Sequence, residues 1–325
     1  MCTAACVLGE GAMLGRTLDA EGTYGERIIA LPRRAPIKER YGGVLCDHYA
    51  MIGAGLLFED RALYFDAVNE RGLAAAALNF PESAAYHKPR RGARNIPSYE
   101  LIPWLLAVAA SVEEATELLR GACITNDAVS DDMPPSPLHF IISDGTKCAV
   151  IEPVSSGVKI YENPYGVLTN EPPFDYHARH VSEFMGLCAD APDNRIAPDI
   201  PIKAYSRGMG AIGLPGDYSS SSRFVRALFV KSHAVIRKEQ RISDFFNILD
   251  AVSVPSGCVI SGAMPWGTAY ASCMDLSDAR YYFTSRSDRR IRSVALCDID
   301  PTGDSAVIFD PYIEEEIIYL RGGCD

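Results

Sequence analysis

The sequence predicts an α+β fold in which stacked sheets carry helices on their outer faces. Three observations point there. Strand-like and helix-like segments come in runs, in the order strands, helices, strands, helices, strands, and not in βαβ alternation. No G-x-G-x-x-G follows a strand and no phosphate-binding loop occurs, so the doubly wound nucleotide folds lack their signature. The 325 residues are 48% hydrophobic and 22% charged, an ordinary globular composition with enough chain for a large core.

Residues 2–32 read as short strands: an apolar stretch to Leu8, a turn at Gly9-Glu10-Gly11, then a strand over 13–19. Strands follow at 51–58, 62–67 and 73–80, the last closed by Pro81. Helices come next at 98–110 and 111–120. Ser111 with Glu114 three residues on forms a capping box that marks where the second begins. Segments 138–143 and 148–153 are strands about an Asp144-Gly145 turn, 157–161 follows, and 166–170 continues extended. Helical periodicity returns at 175–187, 221–233 and 242–252. The Asp-, Pro- and Gly-rich stretch 188–218 reads as a loop inside one domain spanning 1–325. The C-terminal segments 268–276, 280–284, 291–297 and 306–309 alternate and predict a meander.

A net charge of −11 argues against nucleic acid as a partner, because phosphate binding needs a basic footprint. The longest apolar run, 101–110, is about half the ~20 residues that span a bilayer. The N-terminus has no basic segment ahead of its apolar stretch, which Glu10 interrupts, so a cytoplasmic location is expected. Ten cysteines, from Cys2 to Cys324, show neither CxxC nor zinc spacing and read as reduced, mostly buried side chains. His177 and His180 have helical i, i+3 spacing but no third ligand, and read as a solvated helical face. The basic run Lys88, Arg90, Arg91 and Arg94 reads as an exposed loop, and Glu314 to Glu316 as a solvated edge.

Cys2, directly after Met1, has two readings on its own, an early strand residue or a nucleophile. Removal of Met1 would leave a residue holding both a thiol and a free α-amine. A thiol with an ordinary pKa of ~8.5 needs help to ionise near neutral pH. An α-amine titrating at ~7.7–8.0 can act as that base, directly or through water. No histidine is then required.

Six blocks set Cys2 in context. They are Met1-Cys2-Thr3-Ala4, Gly15-Arg16-Thr17-Leu18-Asp19, Leu63 to Glu70, Leu78-Asn79-Phe80-Pro81, Val167-Leu168-Thr169-Asn170, and Gly213 to Asp217 with Ser222-Arg223-Phe224-Val225-Arg226. In this order they resemble the choloylglycine hydrolase family, the bile salt hydrolases and penicillin V acylases among the N-terminal nucleophile hydrolases. The resemblance implies an αββα four-layer sandwich, loss of Met1 as the only maturation step, no metal or organic cofactor, and a homo-oligomer, commonly a tetramer. It implies Cys2 as the nucleophile that forms a thioester and Asp19 as the carboxylate holding the α-amine. Arg16 and Arg223 match the two arginines near the thiol. Asn79 and Asn170 match the two asparagines, whose amide N–H groups can donate to an oxyanion.

Asn79 stands where penicillin V acylases typically have Tyr, which tilts the implied substrate toward a conjugated bile acid, an amphipathic small molecule. An apolar wall for it would draw on Tyr24, Phe65, Phe58 and Met133. Three positions depart from the family pattern: Glu171 after Asn170, Ala20 where a bulkier apolar residue is common beside Asp19, and Glu82 where Gly is usual. Three alternatives stay open on the sequence: penicillin V or another N-acyl amide such as an acyl-homoserine lactone, a dipeptide for an N-terminal cysteine peptidase, or an inactive binder that keeps the fold.

Overall fold

The computed structural model describes residues 1–319. Among these residues two large antiparallel sheets stack face to face. The first runs, in spatial order, Val167–Leu168, Cys2–Val7, Met13–Ala20, Met264–Asp275, Arg280–Ser285 and Arg292–Ala295, with Val259–Ser261 folded back on Met264–Asp275. The second runs Gly157–Glu162, Cys148–Val154, Leu138–Ser143, Ala74–Asn79, Arg61–Asn69, Met51–Phe58, Arg27–Leu31 and Val307–Phe309.

Helices α1 (Leu101–Val108) and α2 (Val112–Leu119) cover the outer face of the second sheet. Helix α3 (Phe174–His180) lies at the side of the core. Helices α4 (Ser220–His233) and α5 (Arg241–Asp250) cover the first sheet. The result is the αββα sandwich.

Side-chain alternation builds these layers. In Cys2–Val7, Cys2, Ala4 and Cys6 face the core between the sheets, while Ala5 faces Phe245 and Leu249 of α5. In Ala74–Asn79, Ala74, Ala76 and Leu78 face inward, and Ala75 and Ala77 face α1. Both faces of each sheet are covered, so such strands read as unbroken apolar runs. The turn at 9–11 needs its glycines, since Gly9 and Gly11 both have positive φ. Ser111 caps α2 by accepting from the Glu114 N–H at 3.1 Å. The Glu114 carboxylate overshoots the box and accepts from the Ala110 N–H at 2.7 Å.

Several expectations are corrected. The meander holds for three strands, but Val307–Phe309 leaves it and pairs with Arg27–Leu31 at the edge of the other sheet. Arg27–Leu31 would otherwise present an unpaired edge, and a three-residue alternation carries no record of its partner. The helix expected over 175–187 is α3 followed by a 3₁₀ turn at Val181–Phe184, and 98–110 opens as a 3₁₀ turn at Ser98–Glu100. Short pairs not foreseen are Ile37–Glu39 with Gly43–Leu45, and Asn95–Pro97 with Cys123–Thr125. Of the nine described cysteines, all free, Cys2, Cys6, Cys123, Cys148 and Cys273 are buried; Cys324 lies outside the described residues. Among the described residues no helix is long and apolar enough to cross a membrane. The runs at Lys88 to Arg94 and Glu314 to Glu316 are largely exposed, as read.

Candidate active site

Cys2 begins the strand that pairs with Met13–Ala20, opposite Leu18. Its side chain points between the sheets and is 5% exposed. Arg16, two residues from Leu18 on the same face, is fully buried and donates from Nη2 to Cys2 Sγ at 2.6 Å. Its Nη1 donates to the Ala77 carbonyl at 2.5 Å and the Phe65 carbonyl at 3.4 Å, both in the second sheet. One guanidinium therefore spans the gap between the sheets and ends on the thiol. Burial opposes its charge, but Cys2, Tyr270, Asp66 and Asp19 more than offset this and its pKa is raised. A permanently charged group in contact with Sγ favours thiolate.

Asp19 lies near the end of Met13–Ala20, opposite Thr268, where Ala269 bulges out of register. Thr268 Oγ1 donates to Asp19 Oδ1 at 2.6 Å, whereas Oδ2 is buried without a partner. With Met1 in place, the terminal ammonium donates to the Asp19 carbonyl at 3.1 Å. Burial lowers the pKa of that ammonium.

Asn170 follows Val167–Leu168 and joins three parts of the site. Its Oδ1 accepts from the Cys2 N–H at 2.8 Å and from Arg223 Nη2 at 2.8 Å. Its Nδ2 donates to the Asn79 carbonyl at 2.8 Å. Arg223 comes from the first turn of α4, capped by Ser219, and is fully buried. It donates from Nη1 to the Cys2 carbonyl and to Thr3 Oγ1, each at 2.5 Å. Arg223 thus meets the Cys2 backbone rather than its thiol, and burial lowers its pKa.

Asn79 ends its strand half-buried, and its side-chain amide makes no hydrogen bond among the described residues. The two asparagines therefore differ. Asn170 is committed to holding Cys2, Arg223 and Asn79, while the Asn79 amide is free to donate.

The supports of this cluster carry no local sequence signal. His177, expected on a solvated helical face, is buried; its ring stacks on Phe224 at 4.9 Å, and Nε2 meets the Asn170 carbonyl at 3.0 Å. The i, i+3 spacing is real, but α3 turns His177 inward onto α4. Only His180, near Glu183 at 3.5 Å, lies toward solvent. Among the described residues no group of three His, Cys, Asp or Glu side chains is placed to hold a metal ion. Glu171, a departure from the family pattern, accepts from the Glu82 and Ser83 N–H groups at 3.0 and 2.8 Å and from Ser83 Oγ at 2.9 Å. The unusual residue thus ties the Asn170 turn to the loop that follows Asn79.

The apolar candidates divide. Phe65 and Met133 line a cavity of about 90 Å³ with Leu138, the register partner of Asn79. Phe65 is the bulged residue of its strand, and Tyr24, 53% exposed, sits edge-on to it at 6.0 Å. Phe58, at the tip of the 51–69 hairpin, does not line that cavity.

These layers, with a buried thiol on the first strand, are those of the N-terminal nucleophile hydrolases. Residues 2–309 match the family of linear amide C–N hydrolases called the choloylglycine hydrolase family. A bile salt hydrolase/transferase of Lactiplantibacillus plantarum is 40% identical over 91% of this chain and 92% of its own. A second, from Clostridium perfringens, is 33% identical over 87% and 88%. The crystal structure of a C2A mutant of a conjugated bile acid hydrolase from Clostridium perfringens superposes with a TM-score of 0.91 at 30% identity, over 99% of this chain and 100% of that one. A penicillin V acylase from Agrobacterium tumefaciens, at 22% identity and a TM-score of 0.76 over 95% and 91%, shares the fold. The chain belongs to the choloylglycine hydrolase family. It is an enzyme of that kind, a hydrolase of linear amide C–N bonds.

Proposed function

We propose that the protein hydrolyses the amide bond of glycine- or taurine-conjugated bile acids, with Cys2 as nucleophile after loss of Met1. The observation that carries this reading is the buried Cys2 thiol in contact with Arg16, with Asn170 bonding both the Cys2 N–H and the Asn79 carbonyl. Freed of Met1, the α-amine of Cys2 would find the partnerless Oδ2 of Asp19 at the end of the neighbouring strand.

The thiolate attacks the amide carbon, and the oxyanion receives the Asn79 N–H. Losing one such donor typically costs about 10²–10³-fold in rate. Asn170 and Arg223 hold the Cys2 backbone still while the tetrahedral centre forms. The α-ammonium protonates the departing glycine or taurine nitrogen, leaving a cholyl thioester. Water, deprotonated by the same amine, then cleaves the thioester and restores the thiol.

The bile salt reading is supported by Asn79 and by relatives of 30–40% identity that bear bile-salt names. Phe65 and Met133, with Tyr24 edge-on to Phe65, offer apolar surface for part of a sterol. Four of these relatives are named hydrolase/transferase, which favours a second outcome for the thioester: transfer of the acyl group to an acceptor in place of water. A homo-oligomer, a tetramer by resemblance, belongs to the same reading.

Glycocholate, taurocholate and penicillin V, assayed side by side with the wild type and Cys2→Ala after intact-mass analysis, test this. Loss of Met1 and bile salt turnover that vanishes in Cys2→Ala are expected. Cleavage of penicillin V alone would overturn the substrate and leave the nucleophile. Turnover surviving in Cys2→Ala would overturn the nucleophile.

A further inference from the structure

Asp66 lies in the middle of Arg61–Asn69 with no exposed surface. Each of its oxygens takes a tyrosine hydroxyl: Tyr281 donates to Oδ1 and Tyr270 to Oδ2, both at 2.5 Å. The tyrosines belong to Arg280–Ser285 and Met264–Asp275 in the opposite sheet and are themselves buried. A carboxyl group costs several kcal/mol to strip of water, so a bare structural role between two sheets would be served better by an apolar residue.

Its surroundings give the group another purpose. Asp66 Oδ2 is 4.0 Å from Nε of Arg16, at the stem end of the guanidinium whose Nη2 touches Cys2 Sγ. The groups that face it are Arg16 from Met13–Ala20, Tyr270 and Ser272 from Met264–Asp275, and Tyr281 from Arg280–Ser285. Burial pushes the Asp66 carboxyl up, while Arg16 and the Tyr270 and Tyr281 hydroxyls pull toward the anion.

We propose that Asp66 is a positioning residue for Cys2, the second anion on Arg16, whose charge limits how far that guanidinium acidifies the thiol. With Asp66 ionised, a thiolate at Cys2 shares the Arg16 charge with a second buried anion. With Asp66 neutral, one competitor for Arg16 is gone, Asp19 remains, and the guanidinium draws the thiol lower. The balance matters because a thiolate loses nucleophilicity as its pKa falls. Tyr270 and Tyr281 favour the charged carboxylate by donating to it, against the burial that pushes the carboxyl up. The inference rests on Cys2 being the nucleophile, but its test needs no substrate.

The test is the pH dependence of Cys2 alkylation by iodoacetamide, followed on the N-terminal peptide by mass, in the wild type, Asp66→Asn and Tyr281→Phe. Asp66→Asn keeps the shape and removes the charge. Its midpoint moves down by about one pH unit, so Cys2 reacts roughly tenfold faster well below the wild-type midpoint. Tyr281→Phe moves it the same way by less, because the carboxyl with one donor fewer is neutral over a wider range. A midpoint unchanged or raised in Asp66→Asn, or in Tyr281→Phe should Asp66→Asn not fold, overturns the proposal; a purely structural residue would lower the melting temperature and leave the midpoint in place. A downward shift in a protein that ignores bile salts would sustain the proposal and overturn the substrate alone.

Discussion

His177 holds the Asn170 carbonyl from a site where an imidazole cannot easily be charged. Desolvation lowers its pKa to about 4, against which the bond to Asn170 works only in part. The neutral ring with its proton on Nε2 donates to the carbonyl and leaves the buried Nδ1 without a partner. An unfolded histidine titrates near 6.5. Between that pH and about 4 the unfolded chain binds a proton that the folded chain refuses, so this group's share of stability is whole above 6.5 and lost as pH falls. The loss is of order 3 kcal/mol. Urea unfolding at pH 7 and pH 4.5 checks it: wild type should lose more stability on acidification than His177→Phe, and equal losses would refute the assignment. Cys2, Arg16, Asp19, Asn79, Asn170 and Arg223 were legible because short local blocks carry each of them. His177, Glu171 and Asp66 were not, because what they do depends on partners across the fold: the Phe224 ring, the Ser83 N–H and the Tyr281 hydroxyl.

The strand that presents Arg16 depends on a residue with no side chain. A Cβ on Gly15 would lie 2.1 Å from the Ser272 carbonyl oxygen and 2.5 Å from the Phe245 ring, so α5 and the neighbouring strand close directly over it. Gly15→Ala should destabilise the fold by about 1–3 kcal/mol through overpacking and reduce turnover by displacing Arg16. Thermal melting together with kcat checks this, and a neutral substitution would show that the layer is looser than described. Strand identities such as Met51–Phe58 and Leu138–Ser143 were legible from composition and their bounding turns. Their partners were not. The last strand, Val307–Phe309, crosses to the other sheet because pairing there is decided by which edge remains open, a property of the assembled sheet. The bulges at Phe65 and Ala269, which adjust the strands beside the thiol, leave no mark in the sequence.

At the scale of the molecule, the core between the sheets draws on both halves of the chain. Cys2, Leu18 and Ile52 pack in one cluster with Phe224, Met274 and Tyr281. The arginine at the thiol takes carbonyls from the opposite sheet, so the site exists only when the two sheets are stacked. A single cooperative unfolding transition is therefore expected for the whole chain, with tryptophan fluorescence and far-ultraviolet circular dichroism coinciding. Two separated transitions would mean that the 188–218 stretch divides independent domains. The central claim is chemical, that Cys2 carries the acyl group, and it is met most directly by trapping the intermediate. Protein mixed with excess glycocholate and quenched in acid should yield an N-terminal peptide, lacking Met1, heavier by one cholyl group and returning to its free mass after hydroxylamine. Steady turnover with no adduct on Cys2 at any quench time, or an adduct on another residue, would contradict the account.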